Sequence, residues 1–486
     1  MRTPAEEGTV TRRAAGANGS ADPARRRRRW IGCGALSLLA AAAIGLALRD
    51  DPPPDDSDLR TLPPSTASAP FRDSVVGALI EIAGELPMAP DWSDTVRSRG
   101  GTLPAHPWDS GRLDDPRWRR PELLEWMRQY FEDEAHELDR VEAALSREDI
   151  GWHSHGDGGP AAPGHGEIGS ITEQLGDRAL WHRARGDLAA ASRDLERSLR
   201  IGERLVAEGV HSSYQLRVAG GNLSLPIAQL HSLLHDGEVD LDVESRILAR
   251  TPALVREPQL ARRWLEGEYR SWQRRVEEIG EGVSGMGRRG LLQKFPLSLL
   301  YKTQRTIGRV ADVFRATLAE ADRLPAERLF PPEVVRLPFG DDDGWVRPVL
   351  LQMNSGEILL IGLFMGLRSD LELLDRLQSE ESALRLLLAL RRYERLHGSL
   401  PVDLDVLFAA VPELGSLPRD PYSREAFRYD PARRIFWSVG LDGIDGGAAD
   451  WARISSEPSL YRHEFADSIW IVPRAPAGRE GASPPR

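Results

Sequence analysis

Cysteine is nearly missing: the 486 residues contain one, Cys33. A single thiol excludes a disulfide within the chain and any metal site built from thiolates. Its apolar neighbours follow it instead of preceding it, which is not the order of a lipoprotein signal, so it reads as a small packing residue. Lysine is almost as scarce, with only Lys294 and Lys302 among many arginines. That bias is what a GC-rich bacterial genome produces. Long apolar runs are few as well. Ile31 to Leu48 continues for eighteen residues without a charge, whereas Ile358 to Leu367 stops at ten, too short to cross a bilayer, and reads as core. A clustered positive surface is also lacking beyond the N-terminal tail. Net charge is −11, and eight arginines (2, 12, 13 and 25–29) precede the apolar run. Nucleic-acid binding outside the tail is therefore excluded, because a phosphate-binding face needs a concentrated positive field.

What is present is the composition of a folded protein, with thirteen tryptophans. Residues 1–30 form a basic tail poor in large apolar groups, expected to be disordered. Residues 31–48, as a helix, measure roughly 27 Å, enough to span a bilayer core. Arg25 to Arg29 beside them place the N-terminus in the cytoplasm by the positive-inside rule. We read an uncleaved anchor. The alternative is a cleaved signal, with small-residue sites such as Ala41-Ala42-Ala43 and a stretch, Arg27 to Ile31, that resembles a twin-arginine signal. Residues 49–70 (RDDPPPDDSDLRTLPPSTASAP) are proline, aspartate and small polar groups, the composition of a spacer lifting the next domain off the membrane.

Helical periodicity dominates residues 71–382. Val75, Leu79, Ile82 and Leu86 share one helix face. Pro121 opens a helix where its missing N–H costs nothing, and Leu124, Met127, Tyr130, Phe131 and Leu138 recur at helical spacing. Helices are further expected over 171–185, 187–208, 213–235, 259–279, 296–322 and 355–396, the last with a break inside. The pair around Gly186, with Ala179, Ala191, Leu195 and Ser198, resembles a single tetratricopeptide-type hairpin over about 171–205. No second copy follows, and an array needs about three, so an irregular helical bundle is the expectation.

Gly285-Met286-Gly287-Arg288-Arg289-Gly290 matches G-x-G-x-x-G, yet a helix precedes it where a strand is required, so nucleotide binding does not follow. Ser284 narrowly misses G-x-S-x-G and lacks the strand–turn–helix setting. His153, His155 and Asp157, with His165 following, supply imidazole and carboxylate, the ligands zinc prefers. The H-x-H-x-D run resembles that of the metallo-β-lactamase fold, but Gly158 stands where that family continues with histidine. These four residues define the alternative function, a metal-dependent hydrolase. The bland reading is a polar, glycine-rich loop.

Residues 383–473 are the most informative. Ala383, Leu386, Leu387, Leu390 and Tyr393 form a helical stripe stopped by Gly398, with Pro401 beyond. A short helix is expected over 403–410, then a rigid turn, Leu417-Pro418-Arg419-Asp420-Pro421-Tyr422. Strands 426–430 and 434–439 follow, with a loop rich in glycine and aspartate, Ser438 to Gly447, and a last strand, 468–472. Residues 474–486 read as a disordered tail.

The order of these landmarks resembles the globular domain of the major pseudopilin of type II secretion systems. Tyr393, Gly398 and Leu400-Pro401 come first, then Leu417 to Pro421, Phe427 and Tyr429, Ser438 to Gly443, and Asp450-Trp451. The resemblance implies a small α+β module whose acidic loop binds calcium, with Asp442 and Asp450 at the ligand positions and Asp445 in the same loop. A flexible loop with several oxygens is what a hard cation requires, although D-G pairs also make ordinary turns. About three hundred helical residues separate this module from the anchor, and no prepilin-type processing stretch is present, so membership of a pilus does not follow.

The expectation is a mainly α protein with one N-terminal transmembrane helix, an irregular helical bundle and a C-terminal α+β module with a short antiparallel sheet. It would sit in a bacterial inner membrane with its bulk outside the cytoplasm. There it would act as a non-enzymatic scaffold that binds another protein in assembly or secretion.

Overall fold

Residues 51–61, 73–87, 121–151, 165–236, 239–250, 259–285, 302–328, 357–448 and 468–473 are described by a computed structural model of the chain. Among them the chain is mainly helical, with eleven helices and one three-stranded antiparallel sheet. Helix α1 (Val75–Glu85) begins where Ser74 Oγ accepts from the Gly77 N–H. Its next free donors, Val75 and Val76 N–H, go to the Asp149 and Ile150 carbonyls, so a distant loop completes the cap. Helix α2 (Pro121–Arg128) starts at its proline as expected, but regular helix does not continue to Leu138. The chain widens into a π turn (Gln129–Glu134), tightens into a 3₁₀ turn (His136–Arg140), and resumes as α3 (Val141–Leu145).

The next three helices form the centre of the body: α4 (His165–Ala184), α5 (Leu188–Gly209) and α6 (Ser213–Asp236). Gly186 makes the α4–α5 turn at φ +83°, a conformation glycine adopts without a Cβ penalty. Asp187 caps α5 through the Ala190 N–H. Between α5 and α6 the approach is closer. Pro226 inside α6 has no N–H, so the Asn222 carbonyl one turn earlier loses its helical partner. Gly202 of α5 lies against that carbonyl, where a Cβ would come within 2.5 Å. The hairpin that resembles a tetratricopeptide unit is thus extended by a third helix packed tightly on the second.

One helix went unread in the sequence, α7 (Leu241–Ala249), although Asp240 caps it through the Asp242 and Val243 N–H groups. Helices α8 (Leu260–Gly285) and α9 (Thr303–Ala321) run antiparallel, with Tyr269 edge-on to Phe314 and Gly280 opposite Thr303. Helix α10 (Glu357–His397) spans 41 residues, roughly 62 Å, without the expected break. Its contacts advance in step with α6, Arg217 meeting Asp370 and Ser224 meeting Glu380, so the two run parallel. Arginines along α10 gather its neighbours. Arg385 donates to the Leu248 and Leu414 carbonyls, Arg392 to Ser245 and Glu413, and Arg395 pairs with Glu244. The boundary expected between 382 and 383 falls inside this unbroken helix, and a single hydrophobic core runs from Leu59 to Val472.

Helix α11 (Leu404–Ala410) follows, then β1 (Arg428–Asp430), β2 (Ile435–Ser438) and β3 (Ser468–Ile471), in the order β1-β2-β3. β3 pairs with β2, as its position in the sequence suggested. Both faces of the sheet are covered. Phe436 stacks on Trp470 at 5.4 Å with Phe427 edge-on to both, facing the main core. Ile435 and Ile469 face the other way and pack with Ala448.

The stretch expected to be a free spacer is bound where it is described. Pro54 packs beside Gly308, and Leu59 is 1% exposed within the core. Asp58 accepts from Arg315 Nε (2.8 Å) and Nη2 (2.9 Å), and Asp56 from the Tyr269 hydroxyl (2.5 Å). Arg60 and Thr61 reach Gln273 and Glu266 on α8. The sequence reading weighed proline and aspartate as solvating groups. α8 and α9 carry the arginines and the tyrosine that bind them. The expected transmembrane segment 31–48 lies outside the described residues, among which no helix is long and apolar enough to cross a membrane.

Candidate functional site

The C-terminal turn and loop are tied together by one buried carboxylate. Asp420 Oδ1 accepts from the Tyr422 N–H (3.1 Å) and the Ser438 hydroxyl (2.8 Å). Its Oδ2 accepts from the Val439 N–H (3.0 Å) and the Ser423 hydroxyl (3.3 Å). Ser438 Oγ in turn accepts from the Gly440 N–H. The two sequence landmarks, Leu417 to Pro421 and Ser438 to Gly443, are therefore one structural unit. An Asx turn at Asp420 was legible in the D-P pair; its grip on β2, eighteen residues on, was not. The turn is fastened to the helices as well, since Arg424 Nη2 donates to the Asp322 carbonyl at the end of α9.

Beyond Gly440 the loop stands on the surface, with residues 442–447 exposed. Asp442 Oδ1 accepts from the Ile444 N–H at 3.0 Å, a local turn that leaves Oδ2 available. Asp445 is more committed. Its Oδ1 accepts from Trp437 Nε1 (3.0 Å) and the Gly447 N–H (2.9 Å), and its Oδ2 from Arg428 Nε (3.0 Å). The Trp437 hydrogen bond, with the Gly447 amide and Arg428 guanidinium, holds its carboxyl below the usual carboxylate range. A hard cation competes poorly for a carboxylate already paired with a guanidinium. Asp442 fits a calcium ligand; Asp445, as arranged, serves to anchor the loop on β1 and β2. Asp450 lies outside the described residues, among which no group of three or more His, Cys, Asp or Glu side chains is gathered for a metal. His153, His155 and Asp157 also lie outside them, and His165 is the first residue of α4.

Sequence reasoning missed the buried charges of the helical body, because their partners come from different helices. Arg178 of α4 forks onto Asp194 of α5 at 2.7 and 2.8 Å and reaches Asp139 at 3.0 Å. His182 stands 3.7 Å from Asp194, and burial holds its imidazole toward the neutral form. Asp370 of α10, fully buried, takes Arg217 Nε at 2.7 Å on Oδ1, while its Oδ2 has no hydrogen-bond partner. Nearby Glu268 of α8 accepts from the Ser213 N–H and Trp272 Nε1, and burial raises its carboxyl above the ordinary range. At the base of the C-terminal sheet, Arg434 forks onto Glu394 at 2.8 and 2.9 Å, and Arg391 and Arg434 both donate to the Pro473 carbonyl. Each cluster joins two or more elements. Such pairs are costly to break from one side, since the remaining charge is left buried.

Comparison with known families, curated proteins and solved structures finds no match to this chain.

Proposed function

We propose that the chain is a single-pass, N-in inner-membrane protein of a bacterial envelope, whose helical bundle and pseudopilin-like C-terminal module form an extracytoplasmic, non-enzymatic scaffold for a protein partner. One observation carries the protein-binding part. Of eight exposed large apolar side chains among the described residues, four fall within 396–408: Leu396, Val402, Val406 and Phe408, at 37–75% exposure. Helix α11 buries Leu404 and Leu407 against the core and turns Val406 and Phe408 outward. Apolar groups concentrated at one end of a soluble domain mark a place where another protein sits. The buried ion pairs support the same reading, since each fastens helices together.

The test is crosslinking from intact membranes through a photoreactive residue at 408, compared with a Val406→Asp/Phe408→Asp chain. A defined protein adduct from the first that vanishes in the second supports the scaffold. No adduct, or one indifferent to the two charges, sinks it. Metal analysis of the purified chain bears on the alternative: stoichiometric zinc lost on His153→Ala with His155→Ala would replace the scaffold by a metal-dependent hydrolase. Calcium lost on Asp442→Ala would instead assign the C-terminal loop as a calcium site, through Asp442 and Asp450.

A further inference from the structure

The bound stretch 51–61 begins three residues after the end of the apolar run. A free spacer of 22 residues (49–70) would let the domain stand up to roughly 70 Å off the bilayer. Docking removes that freedom. Pro54 already touches α9 at Gly308, and only six residues separate it from Leu48, a reach of about 20 Å at most. Direction follows from the order of contacts. Pro54 lies at Gly308, and Asp58 at Arg315 seven residues further along α9. Traced backwards, toward the anchor, the stretch therefore runs toward the start of α9. That end is shared with the far part of α8, where Gly280 meets Thr303. Pro52, Pro53 and Pro54 continue the course stiffly, since consecutive prolines favour an extended helix.

The described residues near that end suit a headgroup layer. Ile279 is an exposed apolar side chain on α8, and Arg275 lies over the Trp272 ring at 5.5 Å. Arg305 and Arg309 follow on the first turns of α9. In sequence, the residues joining the two helices combine Arg288, Arg289 and Lys294 with Leu291, Leu292 and Phe295, and both lysines of the chain fall between 294 and 302.

We propose that residues 51–61 are a strap that orients the domain on its own membrane, turning the Gly280/Thr303 end of the α8–α9 pair toward anionic phospholipid headgroups. This rests on the reading of 31–48 as an uncleaved anchor. The strap holds by three kinds of contact: Leu59 in the core, Asp58 forked by Arg315, and Asp56 on the Tyr269 hydroxyl. It fixes which surface faces the bilayer and leaves the rest of the body for partners.

The full chain, in a Cys33→Ser background, is reconstituted in vesicles of phosphatidylethanolamine and phosphatidylglycerol bearing a headgroup energy acceptor. A donor dye is attached at Ile279→Cys or, as the distal position, at Arg323→Cys beyond the other end of α9. The two ends of α9 are roughly 27 Å apart, so transfer from 279 should exceed that from 323 at least about twofold. Releasing the strap by Leu59→Asp, or by Asp56→Ala with Asp58→Ala where the first variant folds poorly, should bring the two transfers together. Equal transfer in the unreleased chain, or a ratio unchanged by release, overturns the strap. Retention after an alkaline wash and the N-terminal sequence report separately on the anchor. A soluble chain beginning near Ala43 removes the anchor and the strap's role together. A retained chain with equal transfers removes the strap alone.

Discussion

Two stretches of this chain look alike on paper and behave in opposite ways. Residues 51–61 and 440–448 are each short, acidic, rich in proline or glycine, and carry one large aliphatic residue. In the first, Leu59 is 1% exposed; in the second, Ile444 is 67% exposed. Asp58 is forked by an arginine from another helix 257 residues away, whereas Asp445 is held by Arg428 and Trp437 of the sheet beside it. The first stretch is a ligand for the helical body, and the second is a loop braced at its root. The difference comes from what the rest of the fold places opposite each aspartate.

That contrast is most easily broken at the aliphatic residue. Leu59→Ala should cost about 3 kcal/mol in chemical denaturation, as truncation of a buried leucine does. Ile444→Ala should stay within about 0.5 kcal/mol, as at other surface positions. Equal losses would mean that the strap is not part of the core. Next in size is the root of the loop. Asp420→Ala leaves the Val439 N–H and the Ser438 hydroxyl without their buried acceptor and should cost about 2–3 kcal/mol. Protease cutting within 440–448 should rise in the same variant, because the loop loses its brace.

Arg315→Ala removes the fork onto Asp58, but both side chains are partly in solvent, so the expected loss is only about 0.5–1 kcal/mol. Cutting within 51–61 should rise while 440–448 remains protected, and the reverse pattern would contradict the separation of the two stretches. The pH dependence is the finest probe. Arg315 holds the Asp58 carboxyl below its ordinary value of 3.8, and the Trp437 hydrogen bond does so for Asp445. A carboxyl lowered in the folded state stabilises fully above its unfolded pKa, and that stabilisation is lost as pH falls through the folded value. Both contributions should therefore disappear only below about pH 4, and Arg315→Ala should remove the strap's share of that acid sensitivity.

Much of the helical body was legible. Ser74, Pro121, Gly186, Asp187 and Asp403 mark element ends because capping and turn chemistry act over three or four residues. The strands were legible too, yet their inward face was misjudged. Ile435 and Trp437 looked like the buried side, whereas Phe436 faces the main core and Ile435 packs in a smaller cluster with Ala448. Alternation shows that a strand has two faces and is silent on which one meets the larger core. The candidate calcium ligands were found by resemblance, and the structure separates Asp442, which keeps an open oxygen, from Asp445, which serves the sheet.

By itself the sequence determined the helical class, most element ends, the small antiparallel sheet and the candidate acidic loop, because propensity, capping and turn geometry are set by near neighbours. Tertiary structure alone decided that α10 runs unbroken and that arginines on it clasp three neighbours. It alone also showed that Asp420 joins two distant motifs, and that an apparent spacer is bound. Each of those depends on contacts between residues tens to hundreds of positions apart. A carboxylate in sequence carries no sign of whether it will meet water, an arginine or a tyrosine hydroxyl.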